Sequence, residues 1–255
     1  MDGLLVEQRE DGVAVVTIDR PQRRNALDDP LLLEGLPGAF ADLGVDPSVR
    51  AIVVTGSGGA FCAGADLECS GLEQPSAAAS ERFMHKSHRT VMNIRSARQP
   101  VIAAVDGAAV GAGAGLAAAC DIRIASRRAR FITPFLKMAL PPDYGSSYLL
   151  PRIVGPEVAL DLFLTGRTVD GEEALRIGLV SRLADDPLAA ALELATGIAA
   201  MPPEAVAVTK ANVYHGLDTD MRSAIFDGEI RSVAIALHGE EFGEAFAAWR
   251  KQIRG

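Results

Sequence analysis

Cysteine is scarce. Only Cys62, Cys69 and Cys120 occur in 255 residues, too few and too scattered for a disulfide framework or a zinc site, and no metal is expected. No uninterrupted apolar run is long enough to cross a bilayer. The opening stretch MDGLLVEQREDGVAVV has neither the basic segment nor the long apolar segment of a secretory signal. Positive charge is in deficit, with 25 Lys and Arg against 33 Asp and Glu and a formal net charge of −8. That balance argues against non-specific nucleic-acid binding, while a local basic patch could still hold one phosphate-bearing ligand. There is no repeat of fixed period and no low-complexity tract. These absences predict a soluble, cytoplasmic protein with no membrane and no nucleic-acid partner. Apolar residues make up 49% of the chain, enough at this length for a sizeable core in one large domain or two small ones.

The pattern along the chain reads as α/β. Two strands, 4–7 and 13–19, flank an Asp11-Gly12 turn. A helical pattern begins at 25–28, runs through Leu43 and ends at Asp46-Pro47. Residues 50–55 form a short strand, apolar enough to be buried on both faces. A glycine loop follows directly at 56–67. Residues 70–80 read as a mobile connection and 81–98 as a helix. His85 and His88 sit three apart there among Lys86 and Arg89, which predicts a solvated face rather than a metal pair. A strand at 122–125 precedes a short basic cluster, Arg127, Arg128 and Arg130, expected to be solvated. An apolar connection at 131–140 follows. Beyond Gly145 the pattern is mostly helical, at 146–154, 156–164, 171–177 and 187–201, with a short strand at 179–183. The final helices, through 211, 217–237 and 242–250, are amphipathic and have no sheet to cover, so they pack on the core or on another subunit.

The stretch at 101–121 organises the rest. It combines an apolar strand at 101–105, a turn at Asp106-Gly107 and an alanine-rich helix entered through Gly111, Gly113 and Gly115. The first N–H groups of a helix lack intrahelical partners and carry the positive end of its dipole. With nothing bulky to shield it, such an entrance suits an anion or a developing oxyanion, although small residues also serve close helix packing. A dinucleotide fingerprint is a poor match, because Leu116 takes its last glycine position and Arg127 to Arg130 stand where an acid belongs.

Seven ordered stretches then carry a resemblance over most of the chain: RPQRRNALD at 20–28, GAFCAGADL at 59–67, PVIAAVDGAAVGAG at 100–113, CDIRIAS at 120–126, LPRIVG at 150–155, LTGRTVDGEEALRIGLV at 164–180 and PPEAVAVTK at 202–210. The sequence resembles the crotonase superfamily, the enoyl-CoA hydratase/isomerase family. The resemblance implies a ββα spiral core over 1–200 and a C-terminal helical region over 201–255 that builds homotrimers or hexamers. It also implies an acyl-CoA thioester ligand, coenzyme A being part of the substrate and no separate cofactor being required. Two backbone amides would form the oxyanion hole, those of Ala65 and Ala112, each worth roughly 3–4 kcal/mol of barrier by analogy. Only Ala112 is indicated by the residues themselves. Arg24 falls where relatives place a basic residue near the CoA phosphates, and an exposed arginine at a helix start is the plain alternative. The loop residues Ala63, Asp66 and Leu67 are carried over as CoA-binding. Arg250 and Lys251 could reach the CoA of a neighbouring subunit.

Hydratases of this family use two glutamates to activate water and deliver a proton. The corresponding positions here are Gly115 and Phe135, which leaves hydration disfavoured and assigns both residues to the acyl pocket. Asp143 remains, at a position where isomerases of the family carry an aspartate. It is either the single base of a 3-enoyl-CoA to 2-enoyl-CoA isomerase, an N-cap for the helix at 146–154, or both. A non-catalytic acyl-CoA binding protein, another enolate reaction of a CoA thioester, and thioester hydrolysis are the alternatives.

Overall fold

The computed structural model describes residues 2–68 and 75–253, apart from the side chain of Gln252. Strands β1 (Leu4–Gln8), β2 (Val13–Ile18), β3 (Ala51–Gly56), β4 (Val101–Val105), β6 (Ile122–Ala125) and β9 (Arg182–Leu183) form one sheet in the order β1-β2-β3-β4-β6-β9. Only the β1–β2 hairpin is antiparallel; the remaining pairs are parallel. Period-2 alternation splits β3 and β4 between two cores. Ala51, Val53, Ile102 and Ala104 face helix α8 (Pro187–Ala199) through its Ala191, Ala195 and Ala199. Ile52, Val54, Val101, Ala103 and Val105 face the larger core with Phe40 and Leu116. Both faces are covered, which is why these strands are apolar almost throughout.

A second sheet, β5 (Ala108–Val110), β7 (Arg130–Ile132) and β8 (Thr168–Asp170), runs in the order β5-β7-β8. The sequence pattern places no strand at any of these positions, because three residues are too short to establish an alternation. Residues 131–140, expected as a connection, contribute β7 and a 3₁₀ turn at Phe135–Met138.

Helix α1 (Leu36–Val45) follows a π-helical turn at Leu31–Gly35, so regular helix begins later than the pattern at 25–28 suggests. The cause is local. Arg24 and Asn25 lie in the left-handed region, with φ of 52° and 58°. The buried Asn25 side chain accepts from the Arg20 amide at 2.9 Å and donates to the carbonyls of Ser57 and Ala60 at 2.8 and 2.6 Å. Asn25 therefore ties the first loop to the glycine loop. Helix α2 (Ala77–Ser87) starts earlier than expected, capped by Ser76, whose Oγ accepts from the Ala79 amide at 3.2 Å. The mobile connection expected at 70–80 lies outside the described residues up to 74. Helix α3 (Arg89–Ser96) is a separate element, so the helix expected at 81–98 is broken at His88.

Helices α4 (Ala112–Ala119), α5 (Ser146–Val154), α6 (Pro156–Thr165) and α7 (Gly171–Arg176) complete the core. Helix α9 (Pro203–Asp218) is pinned across it by a polar anchor. The Lys210 ammonium donates to the Ile94 and Gln99 carbonyls at 2.9 and 3.0 Å and pairs with Asp121 at 2.8 Å. Tyr214 donates its hydroxyl to the same carboxylate, which also accepts from the Val101 amide at 2.7 Å. Helices α10 (Met221–Ser223), α11 (Arg231–Ala236) and α12 (Glu240–Gln252) follow. On α9 to α12 the side chains of Val213, Leu217, Phe226, Ile230, Val233 and Trp249 stand exposed.

Candidate active site

Two chain segments meet where β3 and β5 hand over to their loops. Phe61 and Cys62 donate their amides to the Ala108 carbonyl at 3.0 and 2.9 Å, and Val110 donates back to the Cys62 carbonyl at 2.9 Å. Gly64, at φ +89°, lies so close that a Cβ there would sit 2.6 Å from the Val110 carbonyl oxygen and 3.5 Å from the Ala112 nitrogen. Only glycine permits that approach.

Several main-chain donors along both segments are used internally. Ala63 donates to the Arg24 carbonyl, Asp66 to the Leu27 carbonyl and Gly111 to the Ile132 carbonyl, at 3.1, 2.8 and 2.9 Å. Among the described residues, neither the Ala65 nor the Ala112 N–H has an acceptor. Ala112 is the first residue of α4, where no intrahelical partner exists. It is nearly buried, and Ala65 is half-buried. Poorly hydrated, unpaired donors are what an oxyanion requires.

Of the other loop positions, Ala63 is half-buried, Leu67 is exposed, and Arg24 is exposed with no ion pair among the described residues. Asp66 is different. Its carboxylate is buried and pairs with Arg20 at 3.3 Å and Arg23 at 3.6 Å, and its amide is used internally. Asp66 shapes the loop rather than presenting a free group. Arg20, which the sequence does not single out, bridges Asp28 and Asp66 and donates to the Ala26 carbonyl. The charged cluster it forms holds the first loop against the glycine loop.

Helix α4 carries Gly115 one turn beyond Ala112, facing the turn at 143–146. A Cβ on Gly115 would lie 2.6 Å from the Tyr144 carbonyl oxygen and 3.0 Å from Ser146 Oγ. The space a glutamate would need there is filled by the segment that carries Asp143. Phe135 is buried on its 3₁₀ turn, with a ring atom 3.9 Å from the Cβ position of Gly111, at the helix entrance.

The capping role open to Asp143 is not taken. Helix α5 has Gly145 at its N-cap with no side-chain capping bond, and only the Asp143 backbone carbonyl accepts from Ser146, at 2.9 Å. The physical reason is a backbone offset: Tyr144 (φ 50°) and Gly145 (φ 78°) both turn left-handed and shift the helix start past the carboxylate's reach. Asp143 Oδ1 is buried and, among the described residues, has no hydrogen-bond partner. Burial pushes the carboxyl above its ordinary range, with a charge on His88, were it present, acting in the opposite sense.

His88 is not on a solvated face, contrary to the expectation from its basic neighbours. It occupies the break between α2 and α3, and its Nε2 accepts from the Tyr144 amide at 2.8 Å. His85 is exposed, 3.8 Å from Glu81. Arg127 and Arg128 are exposed and paired with Glu172 and Asp106. Burial pushes the Cys62 and Cys120 thiols up to about 12, which removes them as nucleophiles at neutral pH.

Comparison with known proteins agrees with this architecture. The family model described as "Enoyl-CoA hydratase/isomerase" matches residues 8–251. The protein named "Probable enoyl-CoA hydratase EchA14" from Mycobacterium tuberculosis is 42% identical over 243 residues, spanning 92% of this chain and 93% of its own. An enoyl-CoA hydratase structure from Mycobacterium smegmatis superposes with a TM-score of 0.91 at 34% identity, covering 99% of this chain and 97% of that one. A structure titled as a "probable enoyl-CoA hydratase/isomerase" from Mycobacterium abscessus gives a TM-score of 0.87 at 37% identity, covering 98% and 96%. A shared fold, a match over nearly the whole length and the motifs around both loops lead to one statement: this chain belongs to the enoyl-CoA hydratase/isomerase family of acyl-CoA enzymes.

Proposed function

We propose that the chain shifts the double bond of a 3-enoyl-CoA to give a 2-enoyl-CoA, with Asp143 as its single base. The thioester oxygen is held by the Ala65 and Ala112 amides. Asp143 takes a proton from C2, leaving a dienolate whose negative charge rests on that oxygen. The same carboxyl returns the proton to C4, and the double bond ends between C2 and C3. No water is consumed, so a second acid is not needed. The observation that carries this reading is the Asp143 carboxylate: half-buried, with an unpartnered Oδ1, free of capping duty and raised in basicity by burial. The glutamates that hydration requires are Gly115 and Phe135 here, which weighs against carrying over the hydratase names of the relatives. Arg24, Ala63 and Leu67 sit where the CoA portion would lie, and Phe135 would wall the acyl group.

The test is turnover of 3-enoyl and 2-enoyl thioesters by the wild type and by Asp143→Asn, beside calorimetry with the same ligands. Isomerisation that the variant loses while still binding acyl-CoA supports the base. Full turnover by the variant excludes it. Tight binding with no conversion by the wild type favours an acyl-CoA binding protein instead.

We also propose that α9 to α12 pack against further copies of the chain as a trimer or hexamer, on the strength of their exposed apolar side chains. A monomer in light scattering at working concentrations contradicts this.

A further inference from the structure

The imidazole of His88 bridges two main-chain groups from distant parts of the sequence. Its Nδ1 lies 2.8 Å from the Met84 carbonyl oxygen, which can only accept, so Nδ1 carries the hydrogen. Its Nε2 lies 2.8 Å from the Tyr144 amide, which can only donate, so Nε2 presents its lone pair. These two partners fix the neutral tautomer and leave the ring no rotational freedom. The segment it holds is costly to keep. Tyr144 is a bulky residue at φ 50°, followed by Gly145 at φ 78°, and a conformation of that kind persists only where its surroundings enforce it. The His88 and Tyr144 rings also pack together, with centroids 5.6 Å apart. Asp143 immediately precedes this turn, and its buried Oδ1 has no side-chain partner to aim it. Among the described residues no hydrogen bond or ion pair aims the carboxylate, so the turn and the packing around it set its direction.

We infer that His88 is a positioning residue for the Asp143 base, holding the Asp143-Tyr144 turn in register with the entrance of α4 through the Tyr144 amide. The inference rests on the proposed isomerase reading and extends it to a residue on the opposite side of the turn. His88 does not touch the reacting atoms. It fixes where the carboxylate stands, and a displacement of about 1 Å at a reacting group can cost on the order of a hundredfold in rate.

Three substitutions test this. In His88→Gln the amide oxygen can reach the place of Nε2 and accept from Tyr144. In His88→Asn it is too short to do so, and in His88→Leu there is no acceptor. Each variant is assayed for 3-enoyl thioester turnover and melting temperature, beside Asp143→Asn and the pair Asp143→Asn/His88→Leu. The expected result is a kcat about tenfold or more lower in His88→Asn and His88→Leu, with KM within about threefold of wild type and most of the loss recovered in His88→Gln. The double variant should be no slower than Asp143→Asn. A His88→Asn variant that folds and keeps kcat within twofold of wild type overturns the inference, as does a His88→Gln variant as slow as His88→Asn. If Asp143→Asn itself keeps full turnover, the base assignment has failed; if it is inactive while His88→Asn is unimpaired, only the role of His88 has failed.

Discussion

Replacing Gly115 by alanine sets two physical effects against each other. In an open helix the change stabilises by about 1 kcal/mol, since glycine is the poorer helix former. Here the new methyl carbon would lie 2.6 Å from the Tyr144 carbonyl oxygen and 3.1 Å from Tyr144 Cβ, distances that a real methyl group does not tolerate. The contact is with backbone, not the end of a flexible side chain, so α4 or the 143–146 turn has to retreat. Overpacking of that kind costs about 1–3 kcal/mol, which exceeds the helix gain. The expected net loss is about 1 kcal/mol, seen as a melting temperature lower by roughly 2–4 °C for a chain of this size. The functional loss should be larger than the stability loss, because the segment that moves carries Asp143. Turnover of a 3-enoyl thioester should fall about tenfold or more, and Gly115→Glu should be worse on both counts and gain no hydratase activity. Calorimetric melting and a spectrophotometric isomerase assay measure the two effects separately. If Gly115→Ala melts higher than wild type with undiminished kcat, the close approach of α4 and the turn is not what shapes this site.

Two further predictions follow from buried charge. Burial raises the Asp143 carboxyl, and a base must be ionised to act, so kcat/KM should rise with pH through a value above the ordinary carboxylate pKa of about 3.9. A folded state that holds this proton more tightly than the unfolded chain is favoured by acid. The contribution of Asp143 to stability is therefore fully present below the unfolded value and lost as pH rises through the folded one. An acid limb inside the ordinary range, or one unaltered in Asp143→Asn, contradicts the assignment. Lys210→Met would leave the partly buried Asp121 carboxylate with only the Val101 amide and the Tyr214 hydroxyl as donors, a loss of about 3 kcal/mol in denaturant unfolding. A loss below about 1 kcal/mol would show that α9 is held by other contacts.

Much of this site was legible in the sequence because it is built from main chain and small residues in fixed order. The strands at 50–55 and 101–105 announce themselves by being apolar on both faces, and the bare entrance of α4 by its alternating glycines. Ala65 was accessible only through the family's motif, since one alanine in a glycine loop carries no signal of an unpaired amide. The second sheet escaped because its strands are three residues long. His88 escaped because its basic neighbours in sequence suggest a solvated face, while its ring meets the Tyr144 amide, 56 residues further along the chain. The possible cap at Asp143 failed for a related reason: two left-handed residues intervene, and no local propensity places tyrosine in that conformation.

If the Ala65 and Ala112 amides grip the substrate carbonyl as proposed, only proline, which carries no N–H, can delete one of them outright. Every other replacement reaches them indirectly, through the tight passage at Gly64 or through the loops that Asn25 and Arg20 lash together. The Asp143 carboxyl has no such protection and can be exchanged one codon at a time. On that reading, a chain of this plan can change its acid–base chemistry while the main-chain half of the site stays in place.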